Sequence, residues 1–213
     1  SLFFFMAQSY KVYINDKEII FTRKELINTE DDSILKYFDP SVNDIHVIIS
    51  DFAVNPKYKG LILSADNPEE IFKAFRKDYK LVRAAGGLVR DNDKRVLCIF
   101  RRGKWDLPKG KIDKDEKKMH AALREVREET GLNELIIVRR LENTYHTYTD
   151  KHAHILKKTY WYEMAAVRPE PLIPQAEEEI TKICWFKPEE LGEVHKNTYT
   201  SISRILERLR MGY

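Results

Sequence analysis

The sequence predicts an α/β protein in two blocks, a small α/β domain over residues 1–80 and a larger α/β domain over residues 81–213. Three observations carry this expectation. Short runs of β-branched and aromatic residues bounded by turn residues recur through both blocks. Helix-period apolar stretches rich in Ala, Leu, Glu, Arg and Lys alternate with them. The charge also shifts: residues 1–80 carry 11 Lys and Arg against 13 Asp and Glu, and residues 81–213 carry 26 against 21, so the net charge of +3 divides into about −2 and +5. A basic second block suits a polyanionic ligand.

The first block opens with a hairpin, Tyr10 to Phe21, whose two β-favouring stretches flank Asn15-Asp16, short polar residues that tolerate the turn. Strands are expected at Ile45 to Ile49 and Gly60 to Leu63. Asn67-Pro68-Glu69-Glu70 starts a helix, with Pro in the first turn, acids facing the positive helix end, and Ile71, Phe72, Phe75 and Tyr79 as its apolar face. The second block has strands at Leu81 to Val89 and Arg95 to Phe100 around the turn Arg90 to Asp93. Trp105 to Lys111 reads as a loop by its Pro and Gly. Glu116 to Thr130 reads as a helix stopped by Gly131. Strands follow at Leu135 to Leu141, His154 to Ala166 and Lys182 to Phe186. Two helices close the chain, one entered through Pro188-Glu189-Glu190 and one from about Thr198 to Arg210 with a core-facing stripe of Ile202, Ile205, Leu206 and Leu209.

With 33% charged and 43% hydrophobic positions in 213 residues, the composition excludes disordered, collagenous and coiled-coil classes. No apolar run nears the roughly 20 residues of a membrane span, so no membrane partner is expected. The patch Leu2 to Met6 lacks a basic flank and is too short for a signal peptide, and reads as a start-site remnant with Met6 the native start. Cys98 and Cys184 lie in strand-like runs without metal or redox spacing, which fits buried reduced thiols in a cytoplasmic protein.

The chemistry concentrates in the helix after Trp105. Glu125, Glu128 and Glu129 stand at i, i+3 and i+4, so the helical period brings three carboxylates to one side. Arg124 reaches Glu128 at i+4, and the remaining repulsion calls for solvent or a divalent cation. Just ahead, Lys109 and Lys111 flank Gly110, where backbone approaches an anion without a Cβ in the way. Metal-binding acids beside phosphate-binding lysines point to phosphoryl chemistry. His146, His152 and His154 fit no standard ligand spacing.

From Gly110 the chain runs through five residues to Glu116, through seven more, and then through Arg124-Glu125-Val126-Arg127-Glu128-Glu129-Thr130-Gly131-Leu132. This matches every fixed position of the Nudix box, and residues 81–213 resemble Nudix hydrolases, which cleave a nucleoside diphosphate linked to another moiety. The resemblance leaves residues 1–80 uncovered. It implies an α/β/α sandwich around a mixed sheet, with Glu125, Glu128, Glu129 and the carbonyl of Lys109 holding Mg²⁺ or Mn²⁺. It further implies that Arg124 orients the acids with Glu116 as an auxiliary, and that Glu125 is the general base. In some relatives a later glutamate shares that work; Glu177-Glu178-Glu179 fills such a loop here, with Glu179 favoured.

Trp105-Asp106-Leu107-Pro108-Lys109-Gly110-Lys111 resembles the Trp-x-x-Pro-Lys-Gly loop of diadenosine tetraphosphate hydrolases and of relatives acting on diphosphoinositol phosphates and oxidised nucleotides. Lys157-Lys158-Thr159-Tyr160-Trp161 resembles a strand of the same group, which implies phosphate contacts from both lysines and a pocket wall from Tyr160. Arg101, Arg102 and Lys111 are further phosphate candidates. Thr147 stands where ADP-ribose hydrolases carry proline, and Tyr148 where dinucleoside polyphosphate hydrolases carry tyrosine, a ring able to stack on a base. The resemblance thus implies a nucleotide or other diphosphate substrate, dinucleoside tetraphosphate first. Nucleoside triphosphate sanitation, RNA 5′-end or diphosphoinositol pyrophosphohydrolysis, ADP-ribose hydrolysis and a non-catalytic nucleotide sensor stay open. A net acidic first block without a helix-turn-helix argues against DNA binding; a dimer interface, an active-site cover or a partner module are the roles left to it.

Overall fold

A computed structural model describes residues 9–27, 29–151, 153–167 and 171–211. The Leu2 to Met6 patch and His152 lie outside the described residues. In chain order the elements are β1 (Tyr10–Ile14), β2 (Lys17–Thr22), β3 (Ile34–Phe38), α1 (Ile45–Val54), β4 (Gly60–Ser64), α2 (Pro68–Arg76), β5 (Lys80–Arg90), β6 (Val96–Arg101), β7 (Lys104–Asp106), β8 (Lys109–Lys111), α3 (Lys118–Thr130), β9 (Leu135–Arg140), β10 (Thr144–Asp150), β11 (Ala153–Ala166), β12 (Ile180–Phe186), α4 (Leu191–Lys196) and α5 (Thr200–Glu207). They form two compact units. One contains the residues up to Leu81 and Tyr145–Leu156; the other contains Val82–Thr144 and the chain from Lys157 onward.

The first unit carries the strand order β10-β1-β2-β4-β3. β1 and β2 form the expected hairpin, with Asn15 and Asp16 both at positive φ (49° and 63°), as a two-residue turn matched to the strand twist requires. β10, β4 and β3 join by parallel pairing. Val12, Ile19, Phe21, Leu61 and Leu63 of the sheet pack with Ile45, Ile49 and Phe52 of α1 and Ile71, Phe72 and Phe75 of α2. Ile45 to Ile49 is therefore helix, not strand. A stretch with four apolar residues in five is readable with either period, and Phe52, buried at i+7 from Ile45, decides for the helix while Val47 and Val54 face outward. β3 and β10 are strands the sequence pattern does not predict. Tyr145 and Leu156, later in the chain, complete this core.

In the second unit the order is β12-β6-β5-β11, with β7 on β6, β8 on β5 and β9 on β11. Strand alternation sorts side chains onto two faces. Ala85, Val89, Leu97, Tyr160, Tyr162 and Met164 pack with Ala121, Ala122 and Val126 of α3. Leu88, Val96, Cys98 and Trp161 pack with Leu191 and Val194 of α4 and Ile202, Ile205 and Leu206 of α5. This is the expected helix-sheet-helix sandwich. Trp161 donates its indole N–H to Thr144 at 2.9 Å, which satisfies its one buried polar atom. Trp105 to Lys111 forms two short strands around Leu107-Pro108 instead of an open loop. α3 begins at Lys118, and Gly131 ends it in the left-handed conformation at φ 80°. Cys98 and Cys184 are both free thiols, directly opposite each other across β6 and β12. Among the described residues no helix is long and apolar enough to cross a membrane.

Candidate active site

Two glycines let β8 lie where it does. β8 pairs antiparallel with β5, Gly86 opposite Lys109 and Ala85 opposite Gly110. A Cβ on Gly86 would run into the Pro108 carbonyl and the Lys109 side chain, and a Cβ on Gly110 would run into the carboxylate of Glu125. The first glycine of the box is thus a matter of space for Glu125. The Lys109 N–H donates to Glu129 Oε2 at 2.8 Å, which ties the strand to the end of α3. The Lys109 ammonium turns instead to Asp106, a carboxylate only 4% exposed, whose Oδ1 accepts the Leu107 N–H at 2.8 Å.

Arg124 holds the acids. Its Nε and Nη2 donate to Glu116 Oε1 and Oε2 at 2.9 and 2.8 Å, a bidentate pair. Nη1 donates to Glu125 Oε1 at 2.8 Å and Glu128 Oε2 at 2.9 Å, and Nη2 also reaches the Lys111 carbonyl at 3.0 Å. Glu116 additionally accepts the Asp113 N–H, and the bonds from Arg124 hold its carboxyl below the usual range. Burial raises the Glu125 carboxyl above its ordinary value, against the opposing pull of Arg124. Glu129 is 1% exposed, and burial pushes it up to about 7, with Lys109 and Arg101 pulling the other way. Glu128 stays half-exposed.

The loop acids divide between two arginines. Arg101 reaches Glu129 Oε1 at 3.5 Å and Glu178 Oε2 at 3.2 Å. Glu179, at φ 59°, turns away and pairs with Arg102 at 2.6 Å in an exposed position. Glu178, not the favoured Glu179, is therefore the loop acid joined to the box acids, and its charge helps raise the proton affinity of Glu125. Lys157 also faces this cluster: burial lowers it to about 8, and Lys109, Asp106, Arg101 and Glu129 all act on it.

The remaining candidates are more dispersed. Lys111 is exposed, with its carbonyl used by Arg124. Tyr160 is 6% exposed inside the α3 core, with Lys158 5.0 Å, Lys118 4.3 Å and Arg140 5.9 Å from its ring centre. Alternation puts Lys157 and Lys158 on opposite faces of β11, so the pair does not act on one ligand from one side. Tyr148 belongs to the first unit, where it is 46% exposed. His146 stacks on Tyr13 and His154 meets Tyr79 edge-on. Asp106 is the residue the sequence reading missed, whereas Lys157 is expected there together with Lys158. Strand period would have separated Lys157 from its neighbour, but nothing local marks Asp106 as buried.

Among the described residues no three His, Cys, Asp or Glu side chains converge at metal-ligand spacing, because Arg124 occupies Glu125 and Glu128. Glu129 Oε1 is nevertheless buried and accepts no hydrogen bond. With Arg101 Nη1 3.5 Å away and no hydrogen bond made, this buried carboxylate oxygen is under-satisfied, and a hard cation is a partner that oxygen ligands suit. The acid set fits a divalent ion on that observation.

Residues 80–209 match the family model of the NUDIX domain, more than half of the chain. The chain belongs to the Nudix family. Its relatives include the mRNA-decapping enzyme subunit 2 of Arabidopsis thaliana, 28% identical over 136 residues, which are 62% of this chain and 35% of that protein. A MutT-like protein of Streptomyces ambofaciens is 32% identical over 133 residues, covering 60% of this chain and 76% of that one. This Nudix chain thus spans about a third of the plant relative and three quarters of the bacterial one. Among solved structures, an Ap4A hydrolase of C. elegans in a binary complex matches 62% of this chain and 99% of its own at 21% identity and a TM-score of 0.46.

Proposed function

We propose that this chain is a divalent-metal-dependent pyrophosphohydrolase of nucleoside polyphosphates, with a dinucleoside tetraphosphate as its substrate. The observation that carries the reading is the buried Glu129 oxygen without a hydrogen-bond donor, beside Glu125 and the Gly110 backbone. Mg²⁺ or Mn²⁺ held by Glu125, Glu128, Glu129 and the Lys109 carbonyl would screen the phosphate charge and make a water acidic enough to attack near neutral pH. Glu125 takes the proton of the attacking water. Burial raises its proton affinity, the direction that suits a general base. The water oxygen then bonds to phosphorus, and the bridging oxygen leaves with the other phosphate fragment. Arg124 orients Glu125 and Glu128 through its planar fork, and Glu116 keeps that fork in place. Arg101 and Lys157 supply positive charge to the phosphates, with Lys111 reaching phosphates further along the chain. Glu178 replaces Glu179 as the loop acid.

The similarity to the plant mRNA-decapping subunit favours a second reading, in which the diphosphate linkage belongs to an RNA 5′ end. Product analysis with Mg²⁺ over diadenosine tetraphosphate, capped and triphosphorylated RNA, ADP-ribose, nucleoside triphosphates and a diphosphoinositol phosphate separates the two. Diadenosine tetraphosphate is expected to give ATP and AMP, with turnover lost in Glu125→Gln and on chelation. Preference for RNA ends moves the substrate to the second reading, and no turnover of any compound despite nucleotide binding replaces both with a sensor.

A further inference from the structure

The first unit contains a concave site that has no part in the chemistry above. A cavity of about 370 Å³ is lined by Lys73, Arg76, Lys77, Tyr79, Leu81 and Leu156, all residues of that unit. Its size falls in the range of small-molecule sites. The three cations come from the last turn of α2 and the residue that caps it. The negative end of the helix dipole favours cations there, which explains their presence but not the lack of carboxylates in the lining. Glu69 is engaged with Lys73 at 2.8 Å, and Asp78 with His46 at 3.2 Å. Among the described residues no ion pair engages Arg76 or Lys77. Two unneutralised cations therefore face one cavity inside a block whose overall charge is negative.

The rest of the lining is apolar. Leu81 is 47% exposed and Leu156 is buried in the unit's core. The Tyr79 ring is half-buried, tilted against Phe75 at 4.9 Å and edge-on to His154 at 6.1 Å. A bare inorganic anion would leave this surface wet, and an apolar ligand would leave the cations uncompensated. A phosphate carried on a flat, stackable body satisfies both parts.

We propose that this cavity binds a nucleoside monophosphate group, free or at the phosphorylated end of a strand, with the phosphate on Arg76 and Lys77 and the base on Tyr79 and Leu81. The site does not rest on the reaction assigned to the Nudix box. Amide chemical shifts of the full chain, followed residue by residue during titration with AMP, read the cavity separately from the box. AMP should move the amides of Arg76 to Leu81 saturably, and adenosine or inorganic phosphate should bind there at least tenfold more weakly. R76E/K77E should raise the Kd for AMP at these amides at least tenfold and R76Q/K77Q severalfold, with hydrolysis of a small diphosphate substrate unchanged in both. A 5′-phosphorylated dinucleotide binding more tightly than AMP would support the site as a holder of strand ends; weaker binding would support the free nucleotide. Shifts confined to the second unit, shifts indifferent to both double variants, or inorganic phosphate binding as well as AMP would overturn the proposal.

Discussion

Glu129 is where burial opposes the charge that the proposed chemistry needs. Its carboxyl is pushed up to about 7 in the folded chain from an ordinary 4.5. The folded state therefore binds a proton the unfolded state has already released between those values, and stability falls as pH rises from 4.5 through 7. At pH 8 the ionised group costs the metal-free fold about 3 kcal/mol. With chelator present, Glu129→Gln should raise Tm at pH 8 by about 5 °C or more and have little effect at pH 5, while activity with metal is lost at both. Thermal melts across that range check the first part; an equal Tm at pH 8 would mean the carboxylate is well solvated. The loop acids give a sharper residue-scale contrast. Glu178→Gln should cut kcat at least tenfold and Glu179→Gln should stay within about twofold of wild type, because Arg101 links only Glu178 to Glu129. Three consecutive glutamates look alike in sequence. The left-handed turn at Glu179 sends its side chain to Arg102, and that turn is a property of the folded loop.

At the scale of elements, α3 and β8 act as one piece. The helix was legible because propensity, charge and the Gly131 stop agree, and the spacing of its acids follows from the helical period alone. Its start was displaced from Glu116 to Lys118 because Glu116 spends its carboxylate on Arg124 and the Asp113 N–H. Gly110→Ala should lower kcat at least tenfold with a smaller effect on stability, since the added methyl displaces the Glu125 carboxylate without disturbing the core. Arg124→Lys should do both kinds of damage. A lysine cannot span Glu116, Glu125 and Glu128 at once, and the loss of the bidentate pair should cost about 2 kcal/mol in a denaturant melt as well as activity. An unchanged melt would limit the fork to orienting the acids. α1 shows the opposite case: Ile45 to Ile49, four apolar residues in five, has no clear period of its own, and contact with the α2 core selects helix.

At the scale of the whole molecule, the two units share the sequence unevenly. Tyr145–Leu156 is flanked on both sides by second-unit sequence but completes the first unit's core, with Tyr145 8% and Leu156 1% exposed. A chain beginning at Val82 would keep the box and leave those side chains without the surface they cover. Such a truncation should lose hydrogen-exchange protection over residues 145–156 and gain a tendency to aggregate, even where some activity persists. Full protection of that segment in the truncated chain would mean that it is held by the second unit.

The sequence by itself determined the box helix, the hairpin turn at Asn15-Asp16, most strands of the second block and the family, because each is written in spacing along a few turns of backbone. The tertiary structure decided which acid of Glu177 to Glu179 faces the cluster, that Lys109 spends its ammonium on Asp106, that Lys157 stands half-buried near Glu129, and that β10 and α1 exist. Those outcomes depend on desolvation and on partners far away in the chain, and neither quantity is carried by a residue's immediate neighbours.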